Sequence, residues 1–373
     1  MNKKRALFTI SLLMLLCSLL AAGTPPKLPD IETAILIDYQ TGRILYSKNS
    51  DSVRPIASMT KIMTLYLTLE AVEKKQISLN DIVEVSTTAS NVGGSQIYLK
   101  EHEKIILEEL LKSTAIASAN DAAVALAEYV SGNKQKFVEA MNKKAHELNL
   151  KNTIFFSPHG LPNPKNNDDR SSAYDIAMLS RSLIQKHPTI LKWTSKRISS
   201  IRNGQFQLTN TNHLIGKYSG MDGLKTGYIN KSGFCLAATA HRNNHRLISV
   251  VMGGHTKKSR FESTQKILDY GFENYTWHKV AQKGQPFQLS IAESQITPID
   301  AELSKDLLVL VSSEESKKIE YVLFTPNGLK APILAGSKLS EYQVQLNGLT
   351  LIKGDVVASH DILRASFFKR LFD

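Results

Sequence analysis

Ser58 and Lys61 stand three residues apart at the start of an apolar run patterned like a helix. On a helix that spacing puts both side chains on one face. A serine hydroxyl is a weak nucleophile until a base takes its proton. A lysine that is partly dehydrated and set beside another cation is neutral enough to be that base. At a helix start the backbone N–H of Ser58 has no intrahelical acceptor, and such donors stabilise a developing oxyanion. Alone, Ser-x-x-Lys is weak, because a chain of this length contains it by chance.

Two further clusters supply what such a pair needs. Ser118-Ala119-Asn120 ends the small-residue run Ala115–Asn120, just before a helical stretch. It reads as a helix junction capped by Ser118 or Asn120. It reads equally as a turn facing a cleft, where Ser118 relays a proton and Asn120 holds Lys61 or a substrate amide. Lys225-Thr226-Gly227 opens a strand-like segment. The bland reading is a strand with a surface lysine. In the functional one, Lys225 adds positive potential that keeps Lys61 neutral, and Thr226 donates to a substrate carboxylate. Gly227, without a side chain, then lets a peptide lie against the strand, and the N–H of Tyr228 is the second oxyanion donor.

The elements that must position these residues follow from the hydrophobic periodicity. Residues 33–47 read as a hairpin turning at Gln40-Thr41-Gly42. Pro55 introduces a helix from about Ala57 to Val72, with one largely apolar side formed by Met59, Ile62, Leu65, Tyr66 and Leu69. Helices return at Leu107–Ser113, Asp121–Val130, Lys134–Leu148 and Ser172–Leu183, and the polar stretch Pro158–Asp169 is a long surface loop. After Lys217, Leu224–Tyr228, Gly233–Ala240 and Arg246–Met252 read as strands, the last two joined at Asn243-Asn244. A helix at about Ser259–Tyr270 closes the unit. Strands from both ends meet in one sheet and the middle supplies helices, an α/β or α+β sandwich. From about Ala281 short apolar runs, Leu307–Val311, Ile319–Phe324 and Tyr342–Leu346, alternate with turns such as Pro326-Asn327-Gly328, giving a small all-β domain. The expected division is 1–23, 24–275, 280–356 and 357–373.

The first and last segments carry targeting signals. Lys3, Lys4 and Arg5, the apolar run Ala6–Leu20 and the small residues Ala21, Ala22 and Gly23 have the order of a cleaved secretory signal. The run is shorter than the roughly 20 residues that span a bilayer, and Leu16 before Cys17 argues against a lipoprotein signal. Without Cys17, Cys235 is the only cysteine, so no internal disulfide forms. Its apolar, strand-like setting argues against a cysteine nucleophile. On a helical wheel of Asp361–Asp373, Leu363, Phe367, Phe368, Leu371 and Phe372 share one half, and Ser366, Lys369 and Arg370 the other. Ile362 is an apolar exception and Arg364 snorkels, so an interfacial membrane helix is favoured over one docked on the β domain.

The net charge of +12, from 46 basic and 34 acidic residues, suits an anionic lipid or wall polymer. Nucleic acid is disfavoured, since there is no zinc-finger spacing and no basic stripe interleaved with aromatics. His241 and His245 flank a turn between strands and make no metal site. Asp121, Asp169 and Asp222 read as caps or turn residues.

Taken together, Ser58-Met59-Thr60-Lys61, Ser118-Ala119-Asn120 and Lys225-Thr226-Gly227, in that order and on helix start, turn and strand, resemble the low-molecular-mass penicillin-binding proteins, serine-type D-alanyl-D-alanine carboxypeptidases. Pro158-His159-Gly160-Leu161 and the run from Arg246 to Gly254 extend the resemblance, which covers essentially the whole chain. It implies a β-lactamase/transpeptidase-like α/β sandwich, a five-stranded antiparallel sheet with a helical insertion, followed by a small all-β domain. It makes Ser58 the nucleophile and Lys61 the acylation base, and places Arg260 near the terminal carboxylate of the substrate, a role that bidentate pairing suits. The implied reaction removes the terminal D-alanine from peptidoglycan stems ending in D-Ala-D-Ala through an ester on Ser58. Ser118 and Lys61 would relay protons for deacylation, β-lactams would inhibit, and no metal or cofactor would take part. The site of action would be the outer face of the cytoplasmic membrane, the periplasm in a Gram-negative cell. Three rivals stand beside it. A β-lactamase is disfavoured by Ala119 and by the lack of an obvious glutamate base in 158–169. A D,D-endopeptidase is disfavoured by the extra β domain. A non-catalytic wall-binding scaffold would not need Ser58, Lys61 and Lys225 together.

Overall fold

Thr33–Asp38 (β1) is buried at all six positions, as expected of a strand covered on both faces. The computed structural model describes residues 23–162, 167–324 and 328–366. The secretory-signal reading of 1–22, residues 163–166 of the polar loop, Pro326-Asn327 and Phe367–Asp373 therefore lie outside the described residues. The chain divides into two compact units, Pro25–Gly271 and the residues from Phe272 onward together with those before Pro25.

In the first unit β1 lies in an antiparallel sheet with Ile44–Lys48 (β2), Met221–Ile229 (β3), Gly233–Arg242 (β4) and His245–Gly254 (β5), in the order β2-β1-β5-β4-β3. Leu236–Ala240 and Leu247–Gly254 are buried throughout, which is why they read as continuous apolar runs instead of alternating ones. Asn243 and Asn244 both adopt positive φ, 47° and 60°, the backbone a tight two-residue hairpin turn requires. The order leaves β3, with the third motif, at the edge of the sheet.

The helix after Pro55 differs from its expected form. Ala57–Thr60 is a 3-10 turn, and the α-helix proper, α1, runs Lys61–Glu73. Nor does it have one apolar side. Lys61, Thr64 and Thr68 are as buried as Ile62 and Met63, because α1 is the central helix, enclosed by its neighbours. Thr64 donates to the Pro158 carbonyl and Thr68 to that of Thr64, at 2.6 and 2.9 Å, so the inward hydroxyls stay paired. Against α1 pack Asn120–Ser131 (α3), Lys134–Glu147 (α4) and Ala173–Lys186 (α5), while Leu107–Lys112 (α2) packs on α3. α5 also lies against β1 and β5. Lys257–Asn274 (α6) follows the sheet. Each fully buried Ile, Leu or Met in this core contributes about 1.5–3 kcal/mol.

In the second unit Tyr275–Ala281 (β6) pairs with Leu307–Ser312 (β9). Pro286–Leu289 (β7), Ile299–Leu303 (β8), Ile319–Phe324 (β10), Lys338–Leu346 (β11) and Leu349–Ala358 (β12) form a sheet ordered β7-β8-β12-β11-β10. Its core includes Leu303, Leu307, Val311, Val344 and Val356. The terminal helix expected from Asp361 is corrected over its described part. Asp361–Ser366 is extended, with Ile362 and Ile333 exchanging backbone hydrogen bonds of 3.0 and 2.8 Å. Ile362 is 3% exposed. It stood apart on the helical wheel because its partner is the β core, while Arg364 pairs with Glu293.

Candidate active site

Ser58 occupies the 3-10 turn ahead of α1, where amide N–H groups have no intrahelical partner. The residue before it, Ala57, has a left-handed φ of 48°, a conformation that only its surroundings can hold. Two glycines provide those surroundings. A Cβ on Gly160 would fall 2.0 Å from the Ala57 carbonyl oxygen and 3.0 Å from the Ser58 nitrogen, and one on Gly227 2.8 Å from the Ile56 oxygen and 3.3 Å from the Met59 nitrogen. The loop from Pro158 and strand β3 thus both close on the serine turn. For Gly227 this is a reason beside the expected one, since its missing side chain admits the nucleophile's turn.

Lys61 is fully buried. Its Nζ lies 2.9 Å from Ser58 Oγ and donates to Asn120 Oδ1 at 2.6 Å and to the His159 carbonyl at 2.7 Å. Burial, and after it the charge of Lys225, push the amine well below the usual lysine range, while Asp169 and Asp121 act in the opposite direction. A neutral amine has two N–H donors and one lone pair. Two carbonyl oxygens take the donors, and the lone pair is left for the Ser58 proton.

Ser118 has φ 62° and follows a π-helical turn, Ser113–Ala117. Neither Ser118 nor Asn120 caps α3 with its side chain. Asn120 is instead the first residue of that helix, and it reaches across to the Ser95 carbonyl through its amide and the Gly93 carbonyl through Nδ2, both at 2.7 Å. The Ser118 hydroxyl accepts from Lys225 Nζ at 2.8 Å. Lys225, 1% exposed, also donates to the Thr226 carbonyl at 2.9 Å. Burial, aided by Arg260, lowers Lys225 to about 7.

Thr226 is buried, and its hydroxyl donates to Thr211 Oγ1 at 2.7 Å. Tyr228 is half exposed, its ring stacked 4.3 Å from that of Phe234. Arg260 donates to the carbonyl of Cys235, the cross-strand partner of Gly227, at 3.3 Å. Its guanidinium lies 4.4 Å from the Phe261 ring and 5.5 Å from that of Phe234, and its buried Nε has no hydrogen-bond partner. Burial lowers it to about 10.

Several residues that brace the site carried little sequence signal. His159 contributes a carbonyl to Lys61, and its Nδ1 accepts from the Leu161 amide at 3.1 Å. Burial first and Lys61 second lower its imidazole to about 3, so it is neutral. Asp169 accepts from Thr60 Oγ1 at 2.9 Å, Ser157 Oγ at 2.7 Å and the amides of Phe156 and Ser157. It is a brace between the loop and the serine turn. Asp121 accepts the Ile97 and Leu99 amides, and Asp222 pairs bidentately with Arg246 at 2.7 Å. The three aspartates form no acid/base pair. His241 is exposed and His245 faces Asp38 at 3.6 Å. Among the described residues no three potential ligands gather at a metal-sized site.

Comparison with known proteins gives matches in both parts of the chain. Residues 23–256 fit the family described as D-alanyl-D-alanine carboxypeptidase, and 275–364 that described as penicillin-binding protein 5, C-terminal domain. D-alanyl-D-alanine carboxypeptidase DacF of Bacillus subtilis is 38% identical over 91% of this chain and 87% of its own. The crystal structure of penicillin-binding protein 5 from Haemophilus influenzae superposes with a TM-score of 0.77 at 30% identity, over 91% of this chain and 99% of that one. Penicillin-binding protein D2 of Listeria monocytogenes, in its ampicillin-bound form, is 33% identical with a TM-score of 0.62, over 66% of this chain and all of the other.

Proposed function

The chain belongs to the D-alanyl-D-alanine carboxypeptidase family, and on that premise we propose that it removes the terminal D-alanine from peptidoglycan stem peptides through an ester on Ser58. The observation that carries this is the Lys61 amine, held between two carbonyl acceptors and the Ser58 hydroxyl. Lys61 takes the proton from Ser58, and Oγ attacks the carbonyl between the two terminal D-alanines. The amides of Ser58 and Tyr228 receive the oxyanion. The C–N bond then breaks, and the departing amine takes the proton that Lys61 removed from Ser58, relayed by Ser118, which Lys225 polarises, so that Lys61 is neutral again. Water, deprotonated by Lys61, hydrolyses the ester and frees Ser58.

Because β3 is an edge strand, an extended peptide can add to its open side. Arg260, with its unpaired Nε, and Thr226 then receive the terminal carboxylate. A β-lactam carries a carboxylate and a strained amide in a similar relation, so it acylates Ser58 and leaves slowly.

The substrate lies outside the cytoplasmic membrane, which fits export by the segment 1–23 and surface attachment by the aromatic and basic residues 367–373. No helix among the described residues is long and apolar enough to cross a membrane. Anionic vesicles should sediment the mature chain but not one ending at Ser366, and equal sedimentation of the two would remove the attachment reading.

Intact-mass measurement tests the reaction itself. Wild-type protein should shorten a D-Ala-D-Ala peptide by one alanine and gain the mass of penicillin, and Ser58→Ala should do neither. Rapid release of ring-opened penicillin without peptide trimming would make the protein a lactamase instead.

A further inference from the structure

Thr226 is assigned above to the substrate's carboxylate, yet its hydroxyl already donates to Thr211 Oγ1 at 2.7 Å. Two hydroxyls carry two protons, and the contact between them uses one. The proton left over belongs to Thr211, and accepting a hydrogen bond makes that O–H a stronger donor. Thr211 is also the more exposed partner, being only partly buried where Thr226 is 6% exposed.

The position of Thr211 is built by its neighbours. Asn210 and Asn212, both buried, flank it. Asn210 Nδ2 donates to the carbonyls of Thr194 and Lys196, each at 2.9 Å, and Asn212 Nδ2 to that of Gly223, in β3, at 3.0 Å. The two asparagines are linked through the Asn212 amide and Asn210 Oδ1 at 2.9 Å. The Thr211 amide donates to the Ile116 carbonyl at 3.2 Å, in the π-helical turn that precedes Ser118. One short segment is therefore tied both to the strand carrying Lys225-Thr226-Gly227 and to the turn carrying Ser118. One residue further on, His213 stacks on the Phe261 ring at 5.4 Å, and Arg260 covers that same ring.

We infer that Thr211 gives the pair's one free O–H to the substrate's terminal carboxylate beside Arg260, made a stronger donor by the hydrogen bond it accepts from Thr226. This rests on the carboxylate reading of Thr226 and Arg260 given above. The Thr226 proton already points to Thr211, and Thr226 is the more buried of the two. Valine at 211 keeps the shape and removes that donor, whereas serine keeps the hydroxyl.

The test compares an N-acyl-D-alanyl thioester of thioglycolate with its methyl ester, which lacks the leaving-group carboxylate. For Thr211→Val the ratio of kcat/KM for acid over ester should fall about tenfold, the scale of one charge-assisted hydrogen bond. The ester's own kcat/KM should change less than about twofold, and Thr211→Ser should restore the ratio to within about threefold. Equal losses on both substrates, or an unchanged ratio, would overturn the inference by making Thr211 structural or idle. If the wild-type enzyme handled acid and ester alike, the carboxylate assignment of Thr226 and Arg260 would fall and this inference with it. Ser58-dependent trimming, measured separately by mass, would still stand.

Discussion

Replacing Lys225 by methionine should remove a pH-dependent penalty from the stability of the catalytic unit while disabling it. Lys225 is 1% exposed and, among the described residues, has no carboxylate within ion-pair distance; it donates to Ser118 Oγ and the Thr226 carbonyl. Folding lowers it from 10.5 to about 7, through burial and then the charge of Arg260. That gap corresponds to about 5 kcal/mol. The folded pKa lies below the unfolded one, so between them the unfolded chain binds the proton that the folded chain has released. The penalty is present in full below about 7 and fades as pH rises toward 10.5. Methionine removes it, and also removes the donor to two oxygens, which costs about 1–3 kcal/mol for each at any pH. The pH-dependent part is therefore the clean readout. The stability difference, Lys225→Met minus wild type, should favour the variant by several kcal/mol more at pH 6 than at pH 10. Urea unfolding in a Trp277→Phe background measures it, because Trp193 is then the remaining tryptophan and lies buried in the catalytic unit. In the same variant the acid limb of penicillin acylation should move to higher pH, since the Lys225 charge no longer holds Lys61 down. A stability difference that is the same at pH 6 and pH 10 would refute the claim that Lys225 is a desolvated cation.

Other perturbations probe the frame around the serine. Gly227→Ala sets a Cβ 2.8 Å from the Ile56 oxygen, so β3 or the serine turn must retreat. Stability should fall by about 1–3 kcal/mol and acylation by a fluorescent penicillin should slow about 10- to 100-fold, and a wild-type rate would show the approach to be unimportant. Asp169→Asn keeps an oxygen for the Phe156 and Ser157 amides but turns an NH2 group on the Thr60 and Ser157 hydroxyls and should lower stability by about 1–3 kcal/mol. Because Asp169 holds the Lys61 pKa up, the acid limb of acylation should shift to lower pH, and a shift the other way would contradict that reading. Ile362→Ala should destabilise the second unit by about 2–5 kcal/mol, followed by Trp277 fluorescence, and leave penicillin acylation unchanged.

What could be read in advance depended on whether the deciding interaction was local. The strands after Lys217 were legible because β4 and β5 are buried on both faces, and their apolar runs and Asn-Asn turn are properties of adjacent residues. The first turn of the nucleophile helix was not. Ala57 is left-handed only because Gly160 and Gly227, distant in sequence, press on that turn, and no local propensity encodes such a contact. Asp169 has the composition of a turn residue and that is half its role, while its bond to Thr60 spans 109 positions. At the C-terminal end the wheel sorted residues by polarity alone and could not see that Ile362 has a strand partner in Ile333.

The same distinction separates the catalytic residues from those that make them work. Serine and lysine three apart name a possible nucleophile and base, but neutrality is not a property of the lysine. It comes from complete burial and from a second buried amine on another strand. Asn120 is legible as a hydrogen-bonding residue near a turn, yet its use depends on where the Gly93 and Ser95 carbonyls lie. Thr211 is the extreme case, a threonine between two asparagines with no motif to mark it. Its connection to Thr226 exists only because the asparagines are buried against the Thr194 and Lys196 carbonyls on one side and strand β3 on the other. Groups that react can be found by type and spacing. Groups that set a pKa or aim a rotor are found by burial and by who holds the remaining hydrogen bond.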